Sequence, residues 1–305
     1  MNVRRLPQNP IIVPEMDVSI GTNINGPSLI CVPDWVPEPL GRYYLYFAHH
    51  HGTFIRLAYA DRLEGPWRIH APGTLHLSQT PCFDHIASPD VHIDAAGQRI
   101  IMYYHGFALE PEKAEQDPLT RRFSVLGGQR SLAATSPDGV RFTSGTEILG
   151  SSYFRVFFWS GSWYALGMPG VFFRSRDGLH DFEAGPALFG EDTRHVAVKV
   201  AGDTLYVFYT TVGDCPEQIL LSTIELTPDW SAWQASPPVP VLWPEEAYEG
   251  ADLPLEPSVR GGAYDRVRQL RDPCLFEDGG RTYLLYAIAG ESGIAIAELL
   301  DLGRW

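Results

Sequence analysis

One pattern recurs five times along the 305 residues, and it limits the folds open to the chain more than any single motif does. Each copy is an apolar strand, a polar turn, a Tyr-rich strand, a third strand and a closing Asp/Gly-aromatic turn. The first copy runs PSLICVPDWVPEPLGRYYLYFAHH then FIRLAYADRLEGPW, from Pro27 to Trp67. The others span Ser88 to Phe142, Phe154 to Phe182, His195 to Trp233, and Arg271 to Trp305. β-Branched and aromatic runs bounded by Gly, Asp and Pro read as strands, and no copy carries a helical apolar period. A sheet of three or four strands cannot bury both faces alone, so the copies must stack, and stacking around an axis makes a propeller. The sequence therefore predicts an all-β, single-domain, five-bladed β-propeller, with blades near residues 21–70, 86–146, 151–186, 193–234 and 270–305. Two flat sandwiches would not explain one start and one finish recurring five times. The segment Pro10 to Ile20, with IIVP and DVSI, is expected to add the outer strand that closes the ring.

In such a ring the first strand of each blade lines the central channel, and the loop after the second strand emerges on the same face as the first strand's start. Side chains at those places converge on one mouth. First-strand starts supply Asn25-Gly26, Ala87-Ser88 with Asp90, Ser152-Tyr153 with Arg155, Arg194-His195 and Arg271-Asp272; second-strand ends supply His49, His50, His51, Tyr104-His105 and Glu291. Asp272, Asp90 and His195 are candidate catalytic groups. Arg155, Arg194, Arg271, His49, His92 and His105 are candidate substrate contacts. The arginines suggest an acidic sugar or a tightly held carboxylate neighbour. Long segments at Gly106 to Gln129 and Trp243 to Gln269 are expected over this face, the second bringing Glu249, Glu256, Arg260, Asp265 and Arg266 towards Asp272.

Charge and cysteine usage exclude other classes. With 23 basic and 37 acidic residues the net charge is −14, and no basic run offers a nucleic-acid or membrane contact. Four separated cysteines, Cys31, Cys82, Cys215 and Cys274, form neither a zinc pattern nor a disulfide framework. The HHH run looks like a metal site, but successive residues on a strand face opposite ways, so no metal ligands are assigned. The N-terminal stretch lacks an apolar core and no long apolar run occurs, so a soluble, cytoplasmic protein is expected; the oligomeric state is left open.

The blade starts RDP (271–273) and ASPDV (87–91), the Asp-Gly turns, and finishes such as LAYADRLEGPW (57–67) resemble the five-bladed propeller glycoside hydrolases of families 43, 32 and 117. That resemblance covers nearly the whole chain as architecture. It implies hydrolysis of O-glycosyl bonds in an oligosaccharide or glycoside, by a carboxylate base, a pKa-tuning Asp and a Glu acid around the channel. No cofactor is required, and a structural calcium in the channel is implied. This chain departs from the pattern: Gly26-Pro27 stands where the family's first-blade Asp-Pro would be, the third-blade Asp-Pro is absent, and His195 stands nearest the fourth-blade acid. The reading is then an inverting glycosidase with Asp272 and Asp90 as base or pKa-tuning groups. Its acid is Glu249, in the element YEG, or His195. A metal-assisted lyase or phosphorylase on the same scaffold, and a non-catalytic carbohydrate-binding propeller, are the rival readings.

Overall fold

The computed structural model describes residues 1–302; Gly303, Arg304 and Trp305, where the fifth repeat is expected to end, lie outside the described residues. Five antiparallel sheets follow one another along the chain. Blade I is built from Asn25–Cys31, Tyr43–Ala48, Arg56–Ala60 and Arg68–His70. Blade II has Phe83–Asp94, Arg99–Phe107 and Gln129–Ser136, with Thr143–Ser144 and Gly150–Ser151 both pairing with the third strand. Blade III comprises Arg155–Trp159, Ser162–Gly167, Val171–Ser175 and Glu183–Ala187, and blade IV Thr193–Ala201, Thr204–Thr211, Ile219–Glu225 and Val239–Leu242. Blade V has Arg271–Asp278, Arg281–Ala287 and Ile294–Leu299, completed on the outside by Val3–Arg5.

The apolar core falls into clusters that each join neighbouring blades. Leu45 and Phe47 of blade I pack with Leu285 and Ile296 of blade V. Tyr46 and Leu57 of blade I meet Ile100 and Met102 of blade II. Tyr103 of blade II meets Val156 and Phe173 of blade III. Leu166 and Phe172 of blade III meet Val207 and Ile224 of blade IV. Phe208 and Leu221 of blade IV then meet Leu284 and Ala297 of blade V. Each sheet thus buries both faces against its neighbours, which is why alternating apolar residues appear on both sides of the middle strands.

The recurring Tyr and the recurring Asp-Gly turn explain one another. The Tyr46 hydroxyl donates to Gly139 O at 2.8 Å, and the Tyr103 hydroxyl to Gly178 O at 2.7 Å, so a second-strand tyrosine in one blade ties down the turn of the next. Both turns share one local solution. Asp138 Oδ1 accepts from the Val140 and Arg141 amides, Asp177 Oδ1 from the Leu179 and His180 amides, and Gly139 and Gly178 take up positive φ.

Ring closure differs from the sequence expectation. The outer strand is Val3–Arg5, paired with Ala297–Leu299, whereas Pro10 to Ile20 forms two 3-10 turns and a single bridge from Ile12 to Ile294. Two prolines and an Asp17 that caps Ser19 break that segment's strand character. The insertion after blade II's second strand also holds two short helices, Pro111–Gln116 and Pro118–Arg122. The second is started by Asp117, which accepts from the Leu119 and Thr120 amides, with Pro118 at its first position. Among the described residues no helix is long and apolar enough to cross a membrane.

Candidate active site

At the mouth the innermost strands do not begin as regular ladders. Pairing breaks between Asn25 and Ser28, Ala87 and Asp90, Thr193 and Val196, and Arg271 and Cys274. Gly26, Ser88, Tyr153 and Asp272 all have φ between +47° and +60°. Three of these breaks carry a proline, Pro27, Pro89 or Pro273, whose absent N–H is no loss where the ladder is interrupted. Bulges re-aim side chains, and a non-glycine residue held at positive φ costs on the order of 1–3 kcal/mol. The Arg-Asp-Pro triplet is thus a device that sets Asp272 at the end of the channel.

A polar cavity of about 210 Å³ opens there. Its walls are His50 beyond blade I's second strand, His85 from blade II, Tyr153 and Met168 from blade III, and Arg194 and His195 from blade IV. Val125 and Gln129 reach in from the helical insertion, and Arg260 and Gly261 from the segment before blade V. Both long loops therefore contribute to the mouth. Arg130, fully buried, fixes the first of them by its ion pair with Asp117 and by donating to Thr120 Oγ1 and Gln129 O at 2.6 Å each.

His195 Nδ1 sits against Asp272 Oδ1, a contact oblique to the ring N–H, and Asp272 Oδ2 is buried without a partner. Burial alone would raise the Asp272 pKa; His195, Arg271 and Arg194 outweigh it and hold the carboxyl below its ordinary range. On its other side His195 meets the Tyr153 ring, 4.6 Å between centroids, and Tyr153 lies 4.0 Å over His105. Across the cavity His50 Nδ1 is 3.8 Å from Glu291 Oε2, so a second imidazole stands beside a carboxylate. Burial pushes the His50 pKa down to about 4 against the pull of Glu291.

Behind these rings lies a buried chain of alternating charge. Arg194 Nη1 lies 3.4 Å and Arg271 Nε 3.2 Å from Glu217 Oε2, and Arg271 Nη1 donates to Glu291 Oε1 at 3.0 Å. Asn23 and Asn25 donate to Glu291 Oε2 at 2.7 and 2.8 Å. Arg194 also donates to Val259 O and Gly261 O at 2.9 Å, fastening the loop. Arg194 and Arg271 thus face three buried carboxylates, Glu217, Glu291 and Asp272.

Other candidates lie elsewhere. Asp90 Oδ2 accepts from the Val156 amide and pairs with His92 Nε2, both at 2.8 Å, bridging the inner strands of blades II and III. Register puts Asp90 opposite Tyr103 and His92 opposite Ile101, down the strand from the mouth position Ala87 opposite His105. Arg155 is a backbone staple, donating to Val196 O and Pro89 O at 3.0 Å. His105 is buried behind Tyr153 and His49 does not line the cavity; burial lowers the pKa of both. Glu249, fully buried, accepts from Arg5 Nε and Nη2, the Tyr286 hydroxyl and the Glu245 amide at 2.8–2.9 Å. It is a saturated latch on the closing strand, outside the cavity. The HHH run also departs from expectation: the strand ends at Ala48, so the three histidines occupy a turn in which strand alternation no longer applies.

Sequence reading passed over His50 as a site residue and Glu217 altogether. The HHH run was the signal for the first; Glu217, on the loop between blade IV's second and third strands, gives none. A calcium ion takes six to eight oxygens. Among the described residues the buried side-chain oxygens left without a partner are Asp272 Oδ2 and the hydroxyls of Ser19, Ser151, Ser152 and Thr210, a single carboxylate oxygen among them, and no step below uses a calcium.

No family model matches the sequence. The uncharacterized protein R118 of Acanthamoeba polyphaga mimivirus is 38% identical over 334 aligned positions, taking in 97% of this chain and 90% of that protein. The chain belongs to the R118 family. The R118-family chain shares its fold with family-43 glycoside hydrolases. One is a β-xylosidase/α-arabinofuranosidase from a compost microbial metagenome in complex with xylotriose, at 14% identity and TM-score 0.61 over 99% of this chain and 97% of that one. Another is the GH43_1 enzyme of Xanthomonas citri complexed with xylose, at 12% and 0.60 over 93% and 90%. An α-L-arabinofuranosidase of Lactobacillus brevis matches at 13% and 0.57 over 96% and 92%. The five-bladed propeller is common to all.

Proposed function

We propose that the R118-family chain is a glycoside hydrolase that cleaves a small oligosaccharide or glycoside at this mouth, with His195 as proton donor and Asp272 as its partner. The observation that carries the reading is the buried Asp272–His195 contact, whose His195 ring lines the mouth cavity. The ionised Asp272 stands against His195 Nδ1 and would hold the ring that passes a proton to the departing glycosidic oxygen. His50, kept neutral by burial, can take a proton from water.

Water attacks the anomeric carbon as the C–O bond to the leaving group breaks; His50 gains the water's proton and His195 gives one to the leaving oxygen. With donor and acceptor on different walls, inversion is the expected course. The cavity, at about 210 Å³, is smaller than the roughly 300–1,000 Å³ of drug-sized sites, which supports recognition of one terminal sugar. Xylose and xylotriose, named for the neighbouring structures, make pentosides the first substrates to try.

Gly26, standing where the resembled family has a carboxylate, favours a second reading, sugar binding without turnover. The test is a panel of arabino-, xylo-, fructo-, agaro- and uronic-acid glycosides followed by NMR of the anomeric protons, with phosphate and chelator arms. Release of a sugar of inverted configuration supports the proposal. Saturable binding with no product points to the second reading, and product formation that requires phosphate or is abolished by chelation points to a phosphorylase or a lyase.

A further inference from the structure

We propose that His51, Asp84 and His85 form a binding site for a divalent transition-metal ion, such as zinc, on the rim of the mouth. Their donor atoms all lie within 4.8 Å of one another, from two blades. Asp84 Oδ2 is 2.9 Å from His85 Nδ1 and 3.9 Å from His51 Nδ1. Ligands held about 2.0–2.2 Å from a tetrahedral zinc ion stand roughly 3.4 Å apart, and the observed separations bracket that value.

The three ligands differ in freedom in the way a loadable site requires. The His85 side chain is 5% exposed, fixed edge-on by Phe107 at 5.4 Å, whereas His51 and Asp84 are 59% and 55% exposed and can swing onto an ion. Asp84 is held at φ +72°, a left-handed conformation that a non-glycine residue adopts at a cost. His51, its ring parallel to Tyr264 and edge-on to His85, brings Nδ1 to 3.9 Å from the same Asp84 oxygen that His85 meets. Two imidazoles and one carboxylate suit zinc, cobalt, nickel or iron better than calcium. Three protein ligands leave positions open, and His85 also walls the mouth cavity. The ion therefore stands where it can hold sugar hydroxyls; that last point alone rests on the glycosidase reading.

The experiment is calorimetric titration of chelator-treated, tag-free protein with zinc chloride, alongside the visible absorption of added cobalt(II). One equivalent is expected to bind, with His51→Ala and Asp84→Asn each weakening binding roughly tenfold or more and changing the cobalt bands. Both side chains are exposed, so the variants keep the fold, which circular dichroism checks. Equal affinity in all three proteins, or no saturable binding, overturns the site. Neither readout uses turnover, so a failed glycosidase reading leaves this result standing, and the reverse also holds.

Discussion

At the scale of single residues, the mouth depends on where buried charge is placed behind the histidine and tyrosine rings. Asp272 is the carboxylate in contact with the proposed proton donor His195, so Asp272→Asn is expected to lower kcat by about 10²–10⁴-fold. Steady-state kinetics on wild type and folded variant measure this, and an unchanged kcat would remove Asp272 from the chemistry. These two residues were legible in the sequence because symmetry puts every blade's opening dipeptide at the mouth. His50 was not, since three consecutive histidines look alike until the end of the strand at Ala48 fixes which one turns inward. Glu217 was illegible for another reason: what makes it notable is burial between Arg194 and Arg271, both remote in sequence.

At the scale of elements, short segments draw their structure from what they dock on. Val3–Arg5 carries no strand signal; it is a strand because the edge of Ile294–Leu299 offers unpaired backbone groups, and because Arg5 meets Glu249. Its register could not be read from three residues. Glu249→Ala would remove the buried one of Arg5's two carboxylate partners, leaving it the half-exposed Glu245, and would leave the Tyr286 hydroxyl without its acceptor. A loss of about 3–5 kcal/mol is expected, the usual result of breaking a buried ion pair from one side, and denaturant unfolding measures it. Glycosidase kinetics per folded molecule should be unchanged, which distinguishes a latch from a proton donor. The motif YEG suggested the second role, and the saturated hydrogen bonding of Glu249 assigns the first. Long repeated features fared better, since Tyr46 and Tyr103 with the Gly139 and Gly178 turns are one contact repeated.

At the scale of the molecule, five repeats gave five blades because each sheet can bury its faces only against its neighbours. The same closed ring buries several histidines in neutral form, and this sets how stability responds to acid. For His50 the folded pKa is about 4 against an ordinary 6.5, and burial lowers His85 and His105 likewise. The unfolded chain therefore binds more protons between about pH 6.5 and 4, so stability is full above that window and falls as pH is lowered through it. Thermal unfolding followed from pH 7 to 4 should show Tm decreasing, with a smaller decrease in His50→Gln. The chemistry proposed for the mouth is tested most directly by one comparison: kcat/KM of wild type and of folded His195→Gln on the best glycoside from the panel, with binding of that glycoside measured in both. The account predicts retained binding and turnover lower by at least about 100-fold in the variant; equal turnover in the two proteins would contradict it.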